Sequence, residues 1–421
     1  MYLGTYFFLT GTCYKEDCMA TGELKPRWGQ PLTGIISFFV FFAIAWLLWF
    51  ILSDSRGPVG WFPYPFVMYL AMMILVGIWQ RMMLGDWPFQ NISQPKRGII
   101  MTIANLVIVW FVIDVIFYRI LGLGFNFISY YGLNAVEKPV VLAQVAVVCF
   151  VLIGFFTYPV STIFFGKWPV QPSNIQQPAA GFAEIGWGSF ITIFCYSALI
   201  VPFFGSIFTG PALNPSWWTD IGGTSHVHWV FGWWEWAIVI LFMTPNVWRM
   251  KPWTLITLPQ PWKGIISVIL SMIAAFIVAY ICRAIIPMWV PAETFQLLEE
   301  TKGVSEVQRF LWLHSAEIAG FTLTPFLIWH HYFDDIALGL NRDGWAAFFL
   351  RTVGVLALAA GSYWLFYYAN FGHWGLGNHH MTEFSHRFPH GESLVWNFWW
   401  IIPLLWNEWF FHKWPFYVHE K

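Results

Sequence analysis

The sequence predicts an all-α integral membrane protein with about ten transmembrane helices, arranged as five tandem two-helix hairpins. This prediction rests on the scarcity of charge, the length of the apolar blocks and a Trp-Pro phrase that recurs along the chain. Charged residues make up 10% of the 421 residues, whereas soluble domains average about 25%. A chain with so little charge cannot cover a water-facing surface with polar side chains.

The apolar residues occur in blocks that are long enough to cross a bilayer. The segment "GIISFFVFFAIAWLLWFIL" from Gly34 matches the roughly 20 residues that a transmembrane helix needs. Similar blocks follow along the whole chain. They predict ten helices, at 34–53, 61–83, 98–121, 139–165, 181–204, 228–248, 264–286, 309–331, 345–369 and 394–412.

A repeated phrase divides these helices into pairs. It reads "GDWPFQNISQPKRGII" from Gly85 and "GKWPVQPSNIQQPAAGF" from Gly166, and fainter copies occur elsewhere. A glycine opens the first helix of each pair, and successive glycines are 64, 83, 83 and 80 residues apart. Self-similarity at a nearly fixed period indicates tandem repeats. The predicted single membrane domain, 1–421, therefore contains units of approximately 28–86, 87–167, 168–252, 253–337 and 338–421.

Basic residues predict the orientation of the chain. A two-helix unit re-enters the bilayer from the side on which the previous unit began, so the repeats are parallel and differ from the inverted repeats of many transporters. Thirteen of the 21 Lys and Arg residues lie on the side of the Trp-Pro junctions and seven on the opposite side. Because cytoplasmic loops are richer in Lys and Arg, we expect an inner (plasma) membrane protein with both termini in the cytoplasm.

Ionisable residues inside the apolar blocks are costly, so they mark candidate functional positions. Four of them are predicted to line a substrate or proton pathway: Asp114, Glu235, Glu317 and Arg351. A structural ion pair is the alternative for Asp114 and Arg351. Glu184 lies near the start of its helix, where the helix dipole alone favours a carboxylate.

Histidines near two of these carboxylates indicate a site on the side opposite the Trp-Pro junctions. Glu235 follows His228 by seven residues and Glu317 follows His314 by three, so each pair lies near one helix face. We expect a His/Glu-lined vestibule between helices six and eight. A divalent metal ion is the cofactor that such a vestibule could bind, with His228, His314, Glu317 and His379 as ligands.

His379 belongs to a loop that is dense in histidine. Five of the twelve histidines fall within residues 372–393. A metal- or proton-binding role for this loop competes with a simple solvated loop, which the Gly and Pro residues also suit. His330 and His331 lie at the other end of helix eight, where capping of the helix C-terminus is the expected role.

Transport of a small solute, by a carrier or a channel, is the predicted function. The first alternative is a membrane subunit of a respiratory or other redox complex that binds a metal, haem or quinone. The second is a structural membrane subunit. No GxxxxGK[ST] motif for nucleotide binding occurs. The expected partners are the lipid bilayer and either other membrane subunits or further copies of the chain, and nucleic acid is not among them.

Overall fold

The computed structural model describes residues 24–53, 58, 67–122, 138–170, 173, 175–200, 228–367 and 389–419. The all-helical prediction is confirmed, and two three-residue strands are the exception. The elements are β1 (Leu24–Pro26), α1 (Leu32–Leu52), α2 (Val67–Met83), α3 (Lys96–Ile120), α4 (Lys138–Ile163), α5 (Ala179–Leu199), α6 (His228–Met243), α7 (Trp262–Met288), α8 (Ala292–Lys302), α9 (Val304–His331), α10 (Trp345–Tyr367), α11 (Pro389–Trp409) and β2 (Tyr417–His419).

One helix was not predicted. The short helix α8 joins α7 to α9, and α9 starts at Val304 rather than at residue 309. The sequence of α8, "AETFQLLEETK", is too polar and too short to resemble a span. It folds as a helix because Leu298 is buried in a small apolar cluster with Phe310 and neighbouring residues.

Six helices in the described part of the chain are long and apolar enough to cross a membrane, namely α1, α3, α5, α7, α9 and α10. Three further apolar segments, in α2, α4 and α6, are shorter. The surface of the long helices is apolar as well. For example, Phe39, Phe194 and Val353 are 62%, 67% and 64% exposed. Extensive apolar exposure of this kind marks a surface that water does not cover, and the chain is therefore described as a membrane protein.

Five helices form a closed ring inside the bundle. Contacts link α2 to α4, α4 to α6, α6 to α9, α9 to α11 and α11 back to α2. The other long helices, α1, α3, α5, α7 and α10, pack around this ring. In the most apolar 18-residue stretch of each of these peripheral helices, 22% to 33% of the residues are buried, against 78% for the ring helix α9. Helix α9 therefore meets mainly protein. The peripheral helices present about two thirds or more of each apolar stretch to the surroundings.

All five ring helices end in the same turn. Two consecutive residues there have positive φ, and the amide of the second donates to the carbonyl six residues earlier, at 2.6 to 3.2 Å. Positive φ is uncommon for residues other than glycine, so its recurrence at five corresponding places is specific. The turns are Gly85–Asp86, Gly166–Lys167, Arg249–Met250, Asp334–Asp335 and His412–Lys413.

The glutamine of the repeated phrase binds these turns. In four peripheral helices, a Gln side chain just before the helix donates to a carbonyl at the end of a ring helix, at 2.6 to 2.9 Å. The glycine four residues later lies against the next residue of the turn. A Cβ on Gly264, for example, would be 2.5 Å from the ring of Phe165. The pairs are Gln30 with Tyr332, Gln94 with Phe410, Gln177 with Met83 and Gln260 with Phe164.

The two ends of the described chain lie together. Strands β1 and β2 are antiparallel, with Lys25 opposite Val418. The hydroxyl of Tyr417 in β2 donates to Asp334, directly after α9. The face of the bundle that carries β1, β2 and the five turns is called the terminal face below, and the opposite face is called the distal face.

Candidate functional site

Helix α9 carries a buried His–Glu pair in its distal half. His314 and Glu317 are three residues apart and therefore neighbours on one face of the helix. His314 Nδ1 lies 2.6 Å from Glu317 Oε2. The two residues are 0% and 6% exposed. His314 precedes the terminal end of α9 at His331 by 17 residues, or about 25 Å of helix, which places the pair near the distal face.

Three hydroxyl groups complete this site. The Tyr363 hydroxyl lies 2.6 Å from His314 Nε2. Tyr367 donates to Glu317 Oε2 at 3.0 Å, and Ser393 donates to Oε1 at 2.5 Å. The two tyrosines belong to α10 and the serine to α11, so three helices contribute to the site. These five residues are called the distal cluster.

A chain of hydrogen bonds extends from Glu317 through His314 to Trp289. Trp289 Nε1 lies 3.1 Å from the Tyr363 hydroxyl, and an indole N–H can only donate. The Tyr363 oxygen thus accepts from Trp289. His314 is held through both ring nitrogens, by Tyr363 at Nε2 and by Glu317 at Nδ1.

Aromatic rings cover the cluster on its distal side. Phe310 stacks on the His314 ring at 5.3 Å with an interplanar angle of 10°. Phe295 of α8 packs edge-on against Phe310 at 5.8 Å. The unpredicted helix α8 therefore lies over the aromatic wall of the site.

The structure places His228 and Glu235 on α6, beside α9. His228 is the first residue of the helix, and Glu235 is buried at 8% exposure. No hydrogen bond or ion pair reaches the Glu235 carboxylate from the described residues. Helix α6 lies close to α9 at Gly232, where an added Cβ would be 2.9 Å from the Trp312 carbonyl. The two helices contact each other again further along α6. Convergence of His228 and Glu235 on the distal cluster stays a prediction.

The remaining predicted pathway residues lie elsewhere. Asp114 accepts a hydrogen bond from Tyr69 at 3.0 Å, between α3 and α2. Arg351 donates to the carbonyls of Ala347 and Arg342, close to the terminal face. Both are buried, at 4% and 1% exposure. These contacts favour a structural role for the two residues over a position in the distal cluster.

Glu184 also has a structural partner. Its Oε1 lies 3.4 Å from Lys167 Nζ, which belongs to the turn after α4. The pair joins the start of α5 to that turn. The carboxylate of Glu184 therefore has an ion-pair partner as well as the favourable position near a helix N-terminus that was expected for it.

A second group of ionisable residues lies at the terminal end of α9. His330 Nδ1 is 2.8 Å from Asp335 Oδ2, and His331 Nδ1 is 3.6 Å from Glu408 Oε1. The two imidazole rings are 4.7 Å apart. The histidines are only 7% and 6% exposed, so they pair with buried carboxylates and do not simply cap the helix at the interface. These four residues are called the terminal cluster.

Sequence reasoning found part of the two clusters. It missed Tyr363 and Tyr367, although their four-residue spacing on an apolar helix was a usable signal. It also missed Glu408, which lies in the apolar run "LLWNEWFF" and is only 5% exposed. Ser393 carries no recognisable signal, because a lone serine at the start of a helix is common.

The described residues contain no group of three His, Cys, Asp or Glu side chains that could hold a metal ion. The proposed ligand His379 lies outside the described residues, as does the rest of loop 372–388. Both ring nitrogens of His314 already have partners. A metal ion or haem iron at His314 would have to displace either Glu317 or Tyr363.

Comparisons with known proteins leave these two clusters as the main observations on function. No protein-family model, curated protein or solved structure matches this chain.

Proposed function

We propose that this chain is a multi-pass membrane transport protein for a small solute, and that the distal cluster binds the solute or its coupling ion. The observation that carries the proposal is the buried His314–Glu317 pair, held by three hydroxyl groups inside a bundle with an apolar exterior. Ionisable groups inside membrane helices are costly and mark substrate, ion or proton pathways.

The proposed architecture has ten spans in five parallel hairpins, with units close to 28–86, 87–167, 168–252, 253–337 and 338–421. The five matching turns at the ends of the ring helices support it. So do the four matching Gln contacts. The fifth unit has Leu340 at the corresponding position, and an ion pair from Arg249 to Asp343 at 2.7 Å joins its start to the turn after α6.

The orientation is proposed from charge. Among the described residues, the terminal face carries most of the Lys and Arg, so it would face the cytoplasm of a cell with this protein in its inner membrane. The pairing of β1 with β2 places both ends of the described chain at that face. The distal cluster would then open toward the outside, and His228, Glu235 and the histidine-rich loop remain candidates for its rim.

The alternative of a haem-binding redox subunit is less well supported. Axial ligation needs an imidazole nitrogen that points at the iron. His314 has both nitrogens engaged. Transport needs no iron ligand, because a carboxylate and an imidazole can bind a cation, a proton or a hydrogen-bonding solute.

Charge movement in reconstituted vesicles tests the proposal. The purified chain, adsorbed in proteoliposomes on a solid-supported membrane, would be challenged with amines, quaternary ammonium ions, organic acids and divalent cations. We expect at least one class to evoke a saturable current. Glu317→Gln should reduce that current at least tenfold, because the amide cannot supply the carboxylate charge. The control is Glu300→Gln, at an exposed position of α8.

Two results would contradict the proposal. One is the absence of any solute-evoked current above that of empty liposomes. The other is a Glu317→Gln current equal to that of the wild type. Gel filtration and circular dichroism of each variant would show whether it is folded, and Glu317→Asp, which keeps the charge, should retain part of the current.

A further inference from the structure

We propose that the seam between α9 and α11 is a proton path that joins the distal cluster to the terminal cluster. This inference deepens the proposed function, on which it rests, by naming the proton as the coupling ion and by assigning its route. The two clusters lie at opposite ends of the same pair of ring helices, and polar side chains lie between them.

Helix α9 presents a polar line to α11. Glu317, Thr324 and His331 follow one another at intervals of seven residues, and such positions drift by only about 20° per interval. Both ends of the line contact α11, because Glu317 binds Ser393 and His331 faces Glu408. The line extends over 14 residues, or about 21 Å, which is most of a hydrocarbon core of about 30 Å.

Helix α11 contributes the polar groups on the other side of the seam. Asn397 packs beside Gly320 of α9, where its Nδ2 lies 3.7 Å from the position of an added Cβ. Its Nδ2 donates to the Ser393 carbonyl at 2.9 Å. The two helices run in the same direction, so Asn397 lies one turn further from the distal face than Ser393.

Several of these groups have unused hydrogen-bonding capacity. Thr324 Oγ1, Asn397 Oδ1 and Glu408 Oε2 are buried and have no hydrogen-bond partner within the described residues. Their residues are 0%, 3% and 5% exposed. Buried polar atoms are normally paired. These three open positions lie along one seam, between two ionisable clusters, and would suit a chain of proton donors and acceptors.

Two other seams of the ring are packed with aromatic side chains at the contacts that follow. The seam between α4 and α6 contains Phe156 and Trp234, whose rings are 5.6 Å apart. Between α2 and α11, Gly77 faces the indole of Trp409, 2.8 Å from the position of an added Cβ. The seam between α9 and α11 differs from these two contacts because it joins two ionisable clusters.

The chemistry requires only proton transfers. A proton from the distal side adds to the Glu317 carboxylate, which already accepts from His314, Tyr367 and Ser393. It passes along the Thr324 and Asn397 region to Glu408 or His331 and leaves at the terminal face. One proton enters for each that leaves, and only O–H and N–H bonds form and break.

Several titratable groups surround the terminal end of this route. His331 faces His330 and Glu408, and the charge of Lys413 also acts on it. Glu408 acts electrostatically on the Tyr332 hydroxyl.

Proton flux into vesicles tests the path without knowledge of the solute. Proteoliposomes with trapped pyranine would be given a potassium diffusion potential with valinomycin, and internal acidification would be recorded. We expect the wild type to take up protons at least tenfold faster than empty liposomes. Glu408→Gln and Thr324→Val should each reduce the protein-dependent rate at least tenfold. The matched controls are Glu300→Gln and Thr301→Val, at exposed positions of α8.

The outcomes separate this inference from the proposed function. The proton path is overturned if the wild type conducts no faster than empty liposomes, or if Glu408→Gln conducts like the wild type. Solute-evoked currents that persist in that case leave the proposed function standing. Proton flux that responds to Glu408→Gln, without any solute-evoked current, supports the path and rejects solute transport. Glu408→Asp should restore part of the flux, which a misfolded variant would not do.

Discussion

The hydroxyl of Tyr363 is the group whose removal should weaken the distal cluster most cleanly. It lies 2.6 Å from His314 Nε2 and 3.1 Å from Trp289 Nε1. Tyr363→Phe keeps the ring, which packs against its neighbours, and deletes only the oxygen. Nε2 of the fully buried His314 then loses its hydrogen-bond partner, and leaving a buried polar group without a partner costs about 1–3 kcal/mol.

The expected loss can be measured by unfolding. Purified Tyr363→Phe would be titrated with sodium dodecyl sulfate in mixed micelles, with tryptophan fluorescence as the signal. A loss of about 1.4 kcal/mol lowers the folding equilibrium constant tenfold. The matched control is Tyr280→Phe, on the half-exposed face of α7, which should change the free energy of unfolding by no more than about 0.5 kcal/mol. An equal loss in both variants would refute the hydrogen-bonded arrangement at His314.

Two further predictions concern packing and pH. Gly188→Ala would place a methyl group 2.3 Å from the Tyr158 ring and should destabilise the bundle by about 1–3 kcal/mol. Its control is Gly186→Ala on the same helix, where an added methyl group meets open space, so this variant should be neutral or stabilise by up to about 1 kcal/mol. The same unfolding titration measures both variants. Burial, together with the neighbouring carboxylate of Asp334, raises the pKa of Tyr417. The folded state therefore favours the neutral phenol. Its contribution to stability is present below the unfolded pKa of about 10 and is lost as pH rises above that value. Tyr417→Phe should therefore lose less stability than the wild type between about pH 9 and pH 11.

The fold could be predicted from sequence to the extent that apolar length determines it. The apolar blocks gave the long helices, and the repeated phrase pointed to the places where each peripheral helix begins. The contacts made by that phrase could not be predicted. Gln30 binds Tyr332 and Gln94 binds Phe410, although the partners are 302 and 316 positions apart in the sequence. The spacing of a repeated phrase along the sequence does not show which repeat units contact each other in the fold.

The candidate site was predictable only within one helix. The spacing of His314 and Glu317 identified their pairing, because side chains three residues apart meet on a helix face. The hydroxyls of Tyr363 and Ser393 enter the site through the packing of α10 and α11 against α9. His330 and His331 were expected at the interface, since sequence position gives only the end of the helix. His330 and His331 are buried because the chain that follows α9 folds back over them and α11 packs against them.

Chemical labelling of Glu317 from one side of the membrane tests the central claim most directly, namely that the distal cluster is a binding site reached from the distal face. Sealed vesicles of known orientation would be treated with a water-soluble carbodiimide and glycine ethyl ester, and modified carboxylates would be located by mass spectrometry. Exposed Glu300 of α8 reports access to the distal face, and Asp343, whose side chain is 68% exposed just before α10, reports the terminal face. We predict that Glu317 is modified when the reagent is applied to the distal face, and more slowly than exposed Glu300 because aromatic rings cover the cluster. Modification of Glu317 only from the terminal face, or no modification from either face, would contradict the claim.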